Sequence, residues 1–130
     1  MANKIMIVDD DVDMVDATKM VLEMEGYEVV TAHDGDEALQ KVEAEMPDLI
    51  LLDRYMPGKT GVEVCKILKG RAKTKNIPVL IFTASGSDLP DLVVQAGADG
   101  YFLKPFAPED LLAEVKKRLE QARTRKSTNR

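Results

Sequence analysis

Short runs of consecutive apolar residues constrain the fold of this 130-residue chain more than any other feature. Four of them stand directly before a polar residue, and they are Ile5–Val8, Leu49–Leu52, Val79–Phe82 and Tyr101–Leu103. Strands that are buried on both faces read as continuous apolar runs, whereas half-exposed strands alternate apolar with polar residues. The runs therefore predict a parallel sheet that is covered by helices on both faces.

Helical patterns separate these runs, so that strands and helices alternate along the chain. The five predicted strands are Ile5–Val8, Glu28–Ala32, Leu49–Leu52, Pro78–Phe82 and Gly100–Leu103. The predicted helices are one that ends before Gly26, one over Asp36–Ala44 capped by Asp34 or Asp36, one through Val62–Leu68, a short one over Leu89–Ala96 and a last one opened by Pro108. This pattern predicts a doubly wound (βα)₅ α/β fold, in which ligands bind at the carboxyl ends of the strands.

The composition favours one soluble domain. With 130 residues, of which 45% are hydrophobic and 32% charged, the chain is long enough to bury a core. No apolar run approaches the roughly 20 residues that a membrane-spanning helix requires. The first residues do not have the pattern of a signal peptide, and the single cysteine, Cys65, cannot form an internal disulfide. We therefore expect a cytoplasmic protein in which Cys65 is a buried structural thiol.

Charge is distributed unevenly along the chain. The net charge is −5, yet residues 121–130 contain four basic residues and no acidic one. The remainder is thus strongly acidic, which argues against direct binding of nucleic acid. Because no apolar residue follows Ala122, we predict a domain over residues 1–122 and a basic polar tail, or the start of a linker, over residues 123–130.

Acidic residues follow two of the predicted buried strands. Asp9 and Asp10 follow the first strand and Asp53 follows the third. Three carboxylates at one edge of a sheet repel one another unless a cation neutralises them, and oxygen ligands without histidine or cysteine favour Mg²⁺. Taken alone, Asp9 or Asp10 could equally cap the following helix, but the position of Asp53 favours a metal site. Asp11 and Asp13 are expected to cap or solvate that helix, and His33 is expected at the surface.

The same edge has the residue types that phosphoryl transfer requires. A carboxylate can act as a nucleophile and form an aspartyl phosphate. Thr83, after the fourth strand, can donate its hydroxyl to a phosphoryl oxygen, and the ammonium of Lys104 can approach another. The sequence therefore predicts a phosphate-handling site at the carboxyl edge of the sheet.

Four motifs occur together in this chain, and they are Ile7–Asp10, Leu52–Pro57, Phe82–Ala84 and Ala96–Phe106. In this order and spacing they resemble the receiver domains of response regulators in two-component signalling. The resemblance extends from Ile5 to about Leu119, which is nearly the whole chain. It implies a flavodoxin-like fold similar to the chemotaxis regulators, with a five-stranded parallel sheet in the order 2-1-3-4-5 and helices on both faces.

The resemblance also implies which residues accept the phosphoryl group and hold the metal. Asp53 would accept the group from a phosphohistidine. Asp10 would bind Mg²⁺ directly, Asp9 would bind it mainly through water, and Tyr55 would contribute its backbone carbonyl. The domain would catalyse only its own phosphorylation and dephosphorylation, so we do not expect an enzyme that acts on other substrates.

Three further residues are implied to respond to the phosphoryl group. Lys104 would neutralise its charge, in a cis peptide with Pro105. Thr83 would turn toward the phosphate and Tyr101 would rotate inward behind it. The added charge and acceptor oxygens would shift an equilibrium between two surface states. The surface that changes would comprise the fourth helix, the fifth strand and the fifth helix.

The partners follow from the same resemblance. A sensor histidine kinase or a phosphotransfer protein would supply the phosphoryl group, and an output partner would bind the changed surface. We expect no membrane association, and either a monomer or a dimer linked to phosphorylation. The sequence does not name the kinase, the pathway or the output partner. The length of the full open reading frame would decide between a stand-alone regulator and one domain of a longer protein.

Two segments depart from the family pattern. Tyr55 lies two residues after Asp53, where smaller or more flexible side chains are frequent, and we hypothesise that its ring shields the phosphoaspartate from water. The segment Ser85–Pro90 is loop-like, and proline is tolerated only in the first turn of a helix. The fourth helix is therefore expected to begin late and to be short.

Two other functions use related chemistry or the same fold. A Mg²⁺-dependent phosphohydrolase also uses an aspartyl nucleophile, but it places that residue after the first strand, and nothing here resembles its substrate-binding cap. A flavin-binding module needs a hydroxyl-rich phosphate loop after the first strand, where this chain has Asp9 and Asp10. The receiver reading accounts for more of the residues than either alternative.

Overall fold

Five parallel strands alternate with five helices within residues 3–83, 89–103 and 106–128, which are described by a computed structural model. The strands are β1 Lys4–Val8, β2 Glu28–Ala32, β3 Leu49–Asp53, β4 Val79–Thr83 and β5 Gly100–Leu103. The helices are α1 Val12–Met24, α2 Gly35–Glu45, α3 Gly61–Lys69, α4 Leu89–Ala96 and α5 Pro108–Thr128. The predicted elements and their order are confirmed.

The sheet has the strand order β2-β1-β3-β4-β5, as the resemblance implied, and neighbouring strands are parallel throughout. Its register aligns the carboxyl ends of the central strands. Val8 of β1 is paired with Leu52 of β3, so Asp9 and Asp53 follow paired residues. The strand order reverses between β1 and β3, which is the place where doubly wound sheets bind their ligands.

The core consists of two apolar clusters, one on each face of the sheet. Alternate residues of the central strands contribute to one cluster or the other, because successive side chains of a strand point to opposite faces. One cluster includes Met6, Val8, Ile50 and Leu52 and packs against α2, α3 and α4. The other includes Ile5, Ile7, Leu49 and Leu51 and packs against α1 and α5. β3 and β4 are buried at every residue, which confirms the prediction from the apolar runs.

The helix ends form where the sequence predicts them. The Asp11 carboxylate accepts a hydrogen bond from the Met14 backbone N–H at 3.2 Å and caps α1. Asp34, one of the two candidates, caps α2. Gly26, which follows α1, has a φ of +90°, a left-handed conformation that glycine adopts without steric cost. Pro108 is the first residue of α5, where its missing N–H would have no partner within the helix.

The last helix is longer than the apolar pattern predicts. α5 continues through Thr128 and so includes most of the segment that was predicted to be a polar tail or linker. Its final turns contain arginine and lysine, which favour helix without requiring an apolar face. The boundary of the domain at residue 122 stays a prediction.

One ion pair connects α3 with the start of β5. Lys69 Nζ donates to the carbonyl oxygen of Ile77 at 2.8 Å and to the Asp99 carboxylate at 2.9 Å. The same carboxylate accepts the Val79 backbone N–H at 2.8 Å. Both charged side chains are more than four-fifths buried. Because removing one partner of a buried pair leaves the other charge uncompensated, this contact is expected to matter for stability.

Lys69→Met is expected to lower the free energy of unfolding by about 2–3 kcal/mol, measured by urea denaturation. The matched control is Lys59→Met, because Lys59 and Asp36 form an ion pair of 2.6 Å that is largely exposed. Exposed pairs contribute little, so the control is expected to cost less than about 1 kcal/mol. Equal costs for the two variants would contradict a special role for the buried pair.

Candidate phosphorylation site

Asp9 and Asp53 are placed side by side by the sheet. Asp9 directly follows β1, and its backbone N–H donates to the carbonyl oxygen of Ala32 at 3.1 Å. Asp53 is the last residue of β3. Both carboxylates belong to buried residues, and the strands that hold them have no exposed face. Their positions are therefore fixed by the packing of the sheet itself.

Asp10 completes a cluster of three carboxylates. One carboxylate oxygen from each of Asp9, Asp10 and Asp53 lies within 4.8 Å of the other two. Asp10 is exposed, and Asp9 Oδ1 accepts the Asp11 backbone N–H at 3.0 Å. Three negative charges this close repel one another, and all the donors are oxygens, which suits a hard divalent cation such as Mg²⁺. The structure thus brings together the three carboxylates that the sequence singled out.

Thr83 and Tyr101 occupy neighbouring strands near this cluster. Thr83 is the last residue of β4 and is buried, one position beyond Phe82, which is paired with Asp53. Tyr101 of β5 is paired with Ile81 and is 44% exposed, so its side chain is in an outward position. Lys104 and Pro105, with the implied cis peptide between them, lie outside the described residues, as does the segment 84–88. The roles of these residues stay predictions.

Gly61 brings the start of α3 against the backbone of Asp53. Its N–H donates to the carbonyl oxygen of Arg54 at 2.8 Å. A Cβ atom at this position would lie 2.1 Å from the carbonyl oxygen of Asp53. The preceding residue, Thr60, caps α3 through a reciprocal pair of hydrogen bonds with Glu63. Sequence analysis missed this support; the visible signal was the glycine pair Gly58 and Gly61 shortly after Asp53.

Arg54 and Tyr55 form a second contact that sequence analysis missed. The guanidinium carbon of Arg54 lies 4.8 Å from the centroid of the Tyr55 ring, which is a cation–π geometry. Arg54 is 8% exposed, whereas Tyr55 is 56% exposed. Arginine side chains are mostly exposed, so no sequence pattern predicted that Arg54 would be buried.

Aromatic rings anchor the chain just after Lys104 and Pro105. The ring of Phe106 lies 6.2 Å from that of Phe82 in a nearly perpendicular arrangement, and 5.6 Å from that of Phe102. Edge-to-face pairs of this kind stabilise beyond the area they bury. Phe82 directly precedes Thr83, so the contact connects the ends of β4 and β5. The apolar character of all three positions was the signal for it.

Two residues outside the site are placed as expected. Cys65 is buried, its Sγ donates to the Ala96 carbonyl oxygen at 3.4 Å, and burial raises the pKa of the thiol to about 11. It is therefore a neutral structural thiol at physiological pH. His33 is exposed at the surface. Within residues 3–83, 89–103 and 106–128, no helix combines the length and the apolar character that crossing a membrane requires.

Comparison with known proteins identifies the family. The family model described as the response regulator receiver domain matches residues 5–116. The chain belongs to this family. Receiver domains are the phosphorylation-dependent switches of two-component signalling, they generally bind Mg²⁺, and they interact with histidine kinases. This receiver domain has an acidic cluster of Asp9, Asp10 and Asp53 at the carboxyl edge of its sheet.

Individual relatives agree with the family. The receiver domain is 44% identical over 117 residues to the alkaline phosphatase synthesis transcriptional regulatory protein PhoP of Bacillus subtilis, covering 89% of this chain and 48% of that protein. It is 41% identical over 118 residues to the phosphate regulon transcriptional regulatory protein PhoB of Klebsiella pneumoniae, covering 89% and 51%. The chain therefore spans about half the length of the curated relatives it matches.

A solved structure confirms the fold. The receiver domain matches the CheY-like response regulator receiver domain protein from Methanospirillum hungatei with a TM-score of 0.90 and 34% identity. The match covers 96% of this chain and 99% of the other. The flavodoxin-like arrangement of the receiver domain is thus shared along nearly its whole length.

Proposed function

We propose that this receiver domain accepts a phosphoryl group on Asp53 from a phosphohistidine of a sensor kinase or phosphotransfer protein. The observation that carries the proposal is the cluster of Asp9, Asp10 and Asp53, whose carboxylate oxygens lie within 4.8 Å of one another. Asp53 is the member of this cluster at the end of a strand buried on both faces. A nucleophile held this firmly meets the demand of phosphoryl transfer for exact positioning.

Exposure suggests how the residues divide their roles. Asp10 is exposed and would bind Mg²⁺ directly, whereas Asp9 is buried and would act mainly through water. Asp53 and the backbone carbonyl of Tyr55 would complete the protein ligands. The metal, when bound, supplies positive charge for the phosphoryl oxygens. Lys104 would supply a second positive charge to the same oxygens.

The transfer forms one bond and breaks one bond. A carboxylate oxygen of Asp53 attacks the phosphorus in line with the bond to the histidine nitrogen. The P–O bond forms as the P–N bond breaks, and the imidazole nitrogen that leaves takes up a proton. Asp53 attacks as the carboxylate, and a divalent cation held by Asp9, Asp10 and Asp53 would favour that ionised form.

The product would be recognised by residues on the adjacent strands. The phosphoryl group adds about −1.5 to −2 charges with strong acceptor oxygens. The hydroxyl of Thr83 would donate to one of these oxygens, and Tyr101, whose ring is exposed here, would rotate inward. This bias would change the surface of α4, β5 and α5, which an output partner reads.

The proposal includes no catalysis on a separate substrate. The domain would catalyse only its own phosphorylation and dephosphorylation, in the cytoplasm and without direct contact to nucleic acid or membrane. PhoP and PhoB are transcriptional regulatory proteins about twice as long as this chain. We therefore propose that the receiver controls an output partner through its surface and does not itself execute the output, as a monomer or as a dimer linked to phosphorylation.

Beryllofluoride with Mg²⁺ tests the proposal, because it imitates a phosphoryl group on a carboxylate. We expect saturable changes in the backbone amide NMR signals of Thr83 and β5 when both are added, beyond the changes that Mg²⁺ causes alone, and no change with beryllofluoride alone. Asp53→Asn is the control and is expected to show no such change. Turnover of small phosphate esters at enzymatic rates would instead support the phosphohydrolase.

A further inference from the structure

Gly35, the first residue of α2, makes a close contact that neither helix propensity nor backbone conformation explains. Glycine is a weak helix former, and the φ of Gly35 is not positive, so the backbone does not require glycine here. The explanation is lack of space. An added Cβ would lie 2.7 Å from Val64 Cγ2 and 2.9 Å from Lys59 Cβ. Gly35 therefore lets the first turn of α2 lie directly against the start of α3 and the turn before it.

The segment that leads into Gly35 is tied to Asp9. Ala32 is the last residue of β2, and its carbonyl oxygen accepts the Asp9 backbone N–H at 3.1 Å. Only two residues separate Ala32 from Gly35. A displacement of the start of α2 is therefore transmitted through a short connection to the backbone of Asp9.

Side chains of the first turn of α2 hold this connection in one conformation. The Glu37 N–H donates to Asp34 Oδ1 at 2.8 Å, and the Glu37 carboxylate accepts the His33 N–H at 2.8 Å. Such a reciprocal pair fixes the direction in which the chain enters a helix. Asp36 also accepts a hydrogen bond of 2.6 Å from the Lys59 ammonium. The connection is thus internally fixed and bonded to the turn before α3.

The start of α3 is in turn held against Asp53. The Gly61 N–H donates to the Arg54 carbonyl oxygen at 2.8 Å, and an added Cβ on Gly61 would lie 2.1 Å from the Asp53 carbonyl oxygen. Close contacts at Gly35 and Gly61 therefore form a continuous path from Asp9 through α2 and α3 to Asp53. Because protein interiors are close-packed, a shift of one member of this path displaces the next.

We propose that Gly35 is a positioning residue for the metal site, through which the connection between β2 and α2 sets the spacing of Asp9 and Asp53. The proposal rests on the proposed function, in which these residues and Asp10 hold Mg²⁺. The pairing of β1 with β3 ends at Val8 and Leu52, one residue before either carboxylate. The spacing of the carboxylates therefore depends on contacts beyond that pairing. Mg²⁺ demands near-ideal octahedral geometry, so a small change in spacing lowers its affinity.

Gly35→Ala tests the proposal. Mg²⁺ is titrated into the metal-free chain, and binding is followed by the backbone amide NMR signals of Asp10 and Asp53. We expect roughly three- to tenfold weaker binding, which is less than the loss when a group in direct contact with a metal ligand is removed. Without metal, hydrogen exchange at the Asp9 and Gly61 amides is expected to be faster, because both donate hydrogen bonds along the path.

Gly100→Ala is the matched control. Gly100 begins β5 and so lies at the amino edge of the sheet, opposite the carboxylates. An added Cβ there would lie 2.8 Å from Arg118 Nη2 and 2.9 Å from Leu80 Cδ2, which is nearly as close as the overlaps at Gly35. We expect its Mg²⁺ affinity to stay within about twofold of the wild-type value, as for a distant and independent site.

Val64→Ala in the Gly35→Ala background separates positioning from stability. The shorter side chain removes the closest overlap, so the double variant is expected to bind Mg²⁺ more tightly than Gly35→Ala. Val64 is fully buried, so its truncation leaves a cavity and keeps the urea midpoint below that of the wild-type chain. Recovered affinity at reduced stability is a result that a purely structural role of Gly35 would not give.

Three results would overturn the proposal. One is a Mg²⁺ affinity of Gly35→Ala equal to that of the wild-type chain. A second is equal weakening by Gly35→Ala and Gly100→Ala, which would attribute the effect to a general loss of stability. A third is the absence of any recovery in the double variant. Failure of the wild-type chain to bind Mg²⁺ at Asp10 and Asp53 would instead refute the underlying proposed function.

Discussion

Asp53→Asn is expected to abolish phosphoryl uptake and leave the fold intact. The amide of asparagine is a far weaker nucleophile than a carboxylate, so no acyl phosphate forms. The substitution also removes one of three carboxylates whose oxygens lie within 4.8 Å of one another. Because this relieves repulsion, the variant is expected to unfold at the same or a higher urea concentration than the wild-type chain in the absence of metal.

The measurement is incorporation of labelled phosphate from a small acyl phosphate with Mg²⁺. Asp11→Asn is the matched control, because it removes an acid near the cluster and asparagine also caps helices well. Asp11 caps α1 by accepting the Met14 N–H. The control is therefore expected to incorporate phosphate like the wild-type chain. Normal labelling of Asp53→Asn would show that another residue is the acceptor.

Gly61→Ala is expected to destabilise the domain by about 3 kcal/mol or more and to reduce phosphoryl uptake strongly. The new Cβ would lie 2.1 Å from the carbonyl oxygen and 2.9 Å from the carbonyl carbon of Asp53. These are backbone atoms of a fully buried strand, so no side-chain rotation relieves the overlap. Either α3 or the end of β3 must move, and movement of β3 would displace the carboxylate of Asp53, the proposed acceptor.

Gly70→Ala is the control for this substitution. Gly70 ends α3 with an ordinary φ of −87°, and its nearest neighbour would lie 3.3 Å from an added Cβ. Its effect on the free energy of unfolding is expected to stay within about 1 kcal/mol. Urea denaturation and phosphate incorporation are measured for both variants. Wild-type stability of Gly61→Ala would mean that the start of α3 adjusts freely and does not support the site.

Much of the fold could be predicted because buried strands and helices have characteristic patterns of apolar residues in the sequence. A central strand such as Leu49–Asp53 is apolar on consecutive residues since both of its faces are covered. The apolar runs also predicted that Asp9 and Asp53 lie close together, because the carboxyl ends of parallel strands meet at a common edge of the sheet. The order of the strands came from the resemblance to receiver domains and not from the apolar pattern.

The remaining features depend on contacts that no local pattern records. The approach of Gly61 to Asp53 is a tertiary contact between backbones, and any turn may contain a glycine. Arg54 reads as a surface residue until its surroundings are known, since arginine is mostly exposed. The extension of α5 to Thr128 was missed because the apolar residues of this helix end earlier. Arginine and lysine favour helix even where the helix has no apolar face.

The short helix α4 has mechanical consequences. Its last residue, Ala96, accepts a hydrogen bond from Cys65, and Asp99 shortly beyond is held by Lys69. These contacts hold the carboxyl end of α4, so a tilt of the helix would pivot about that end. The eight residues of α4 form a helix about 12 Å long. A tilt of about 10° about the carboxyl end would therefore move the amino-terminal end by about 2 Å. If phosphorylation tilts α4 in this way, the amino-terminal end of the helix would be displaced more than its carboxyl end.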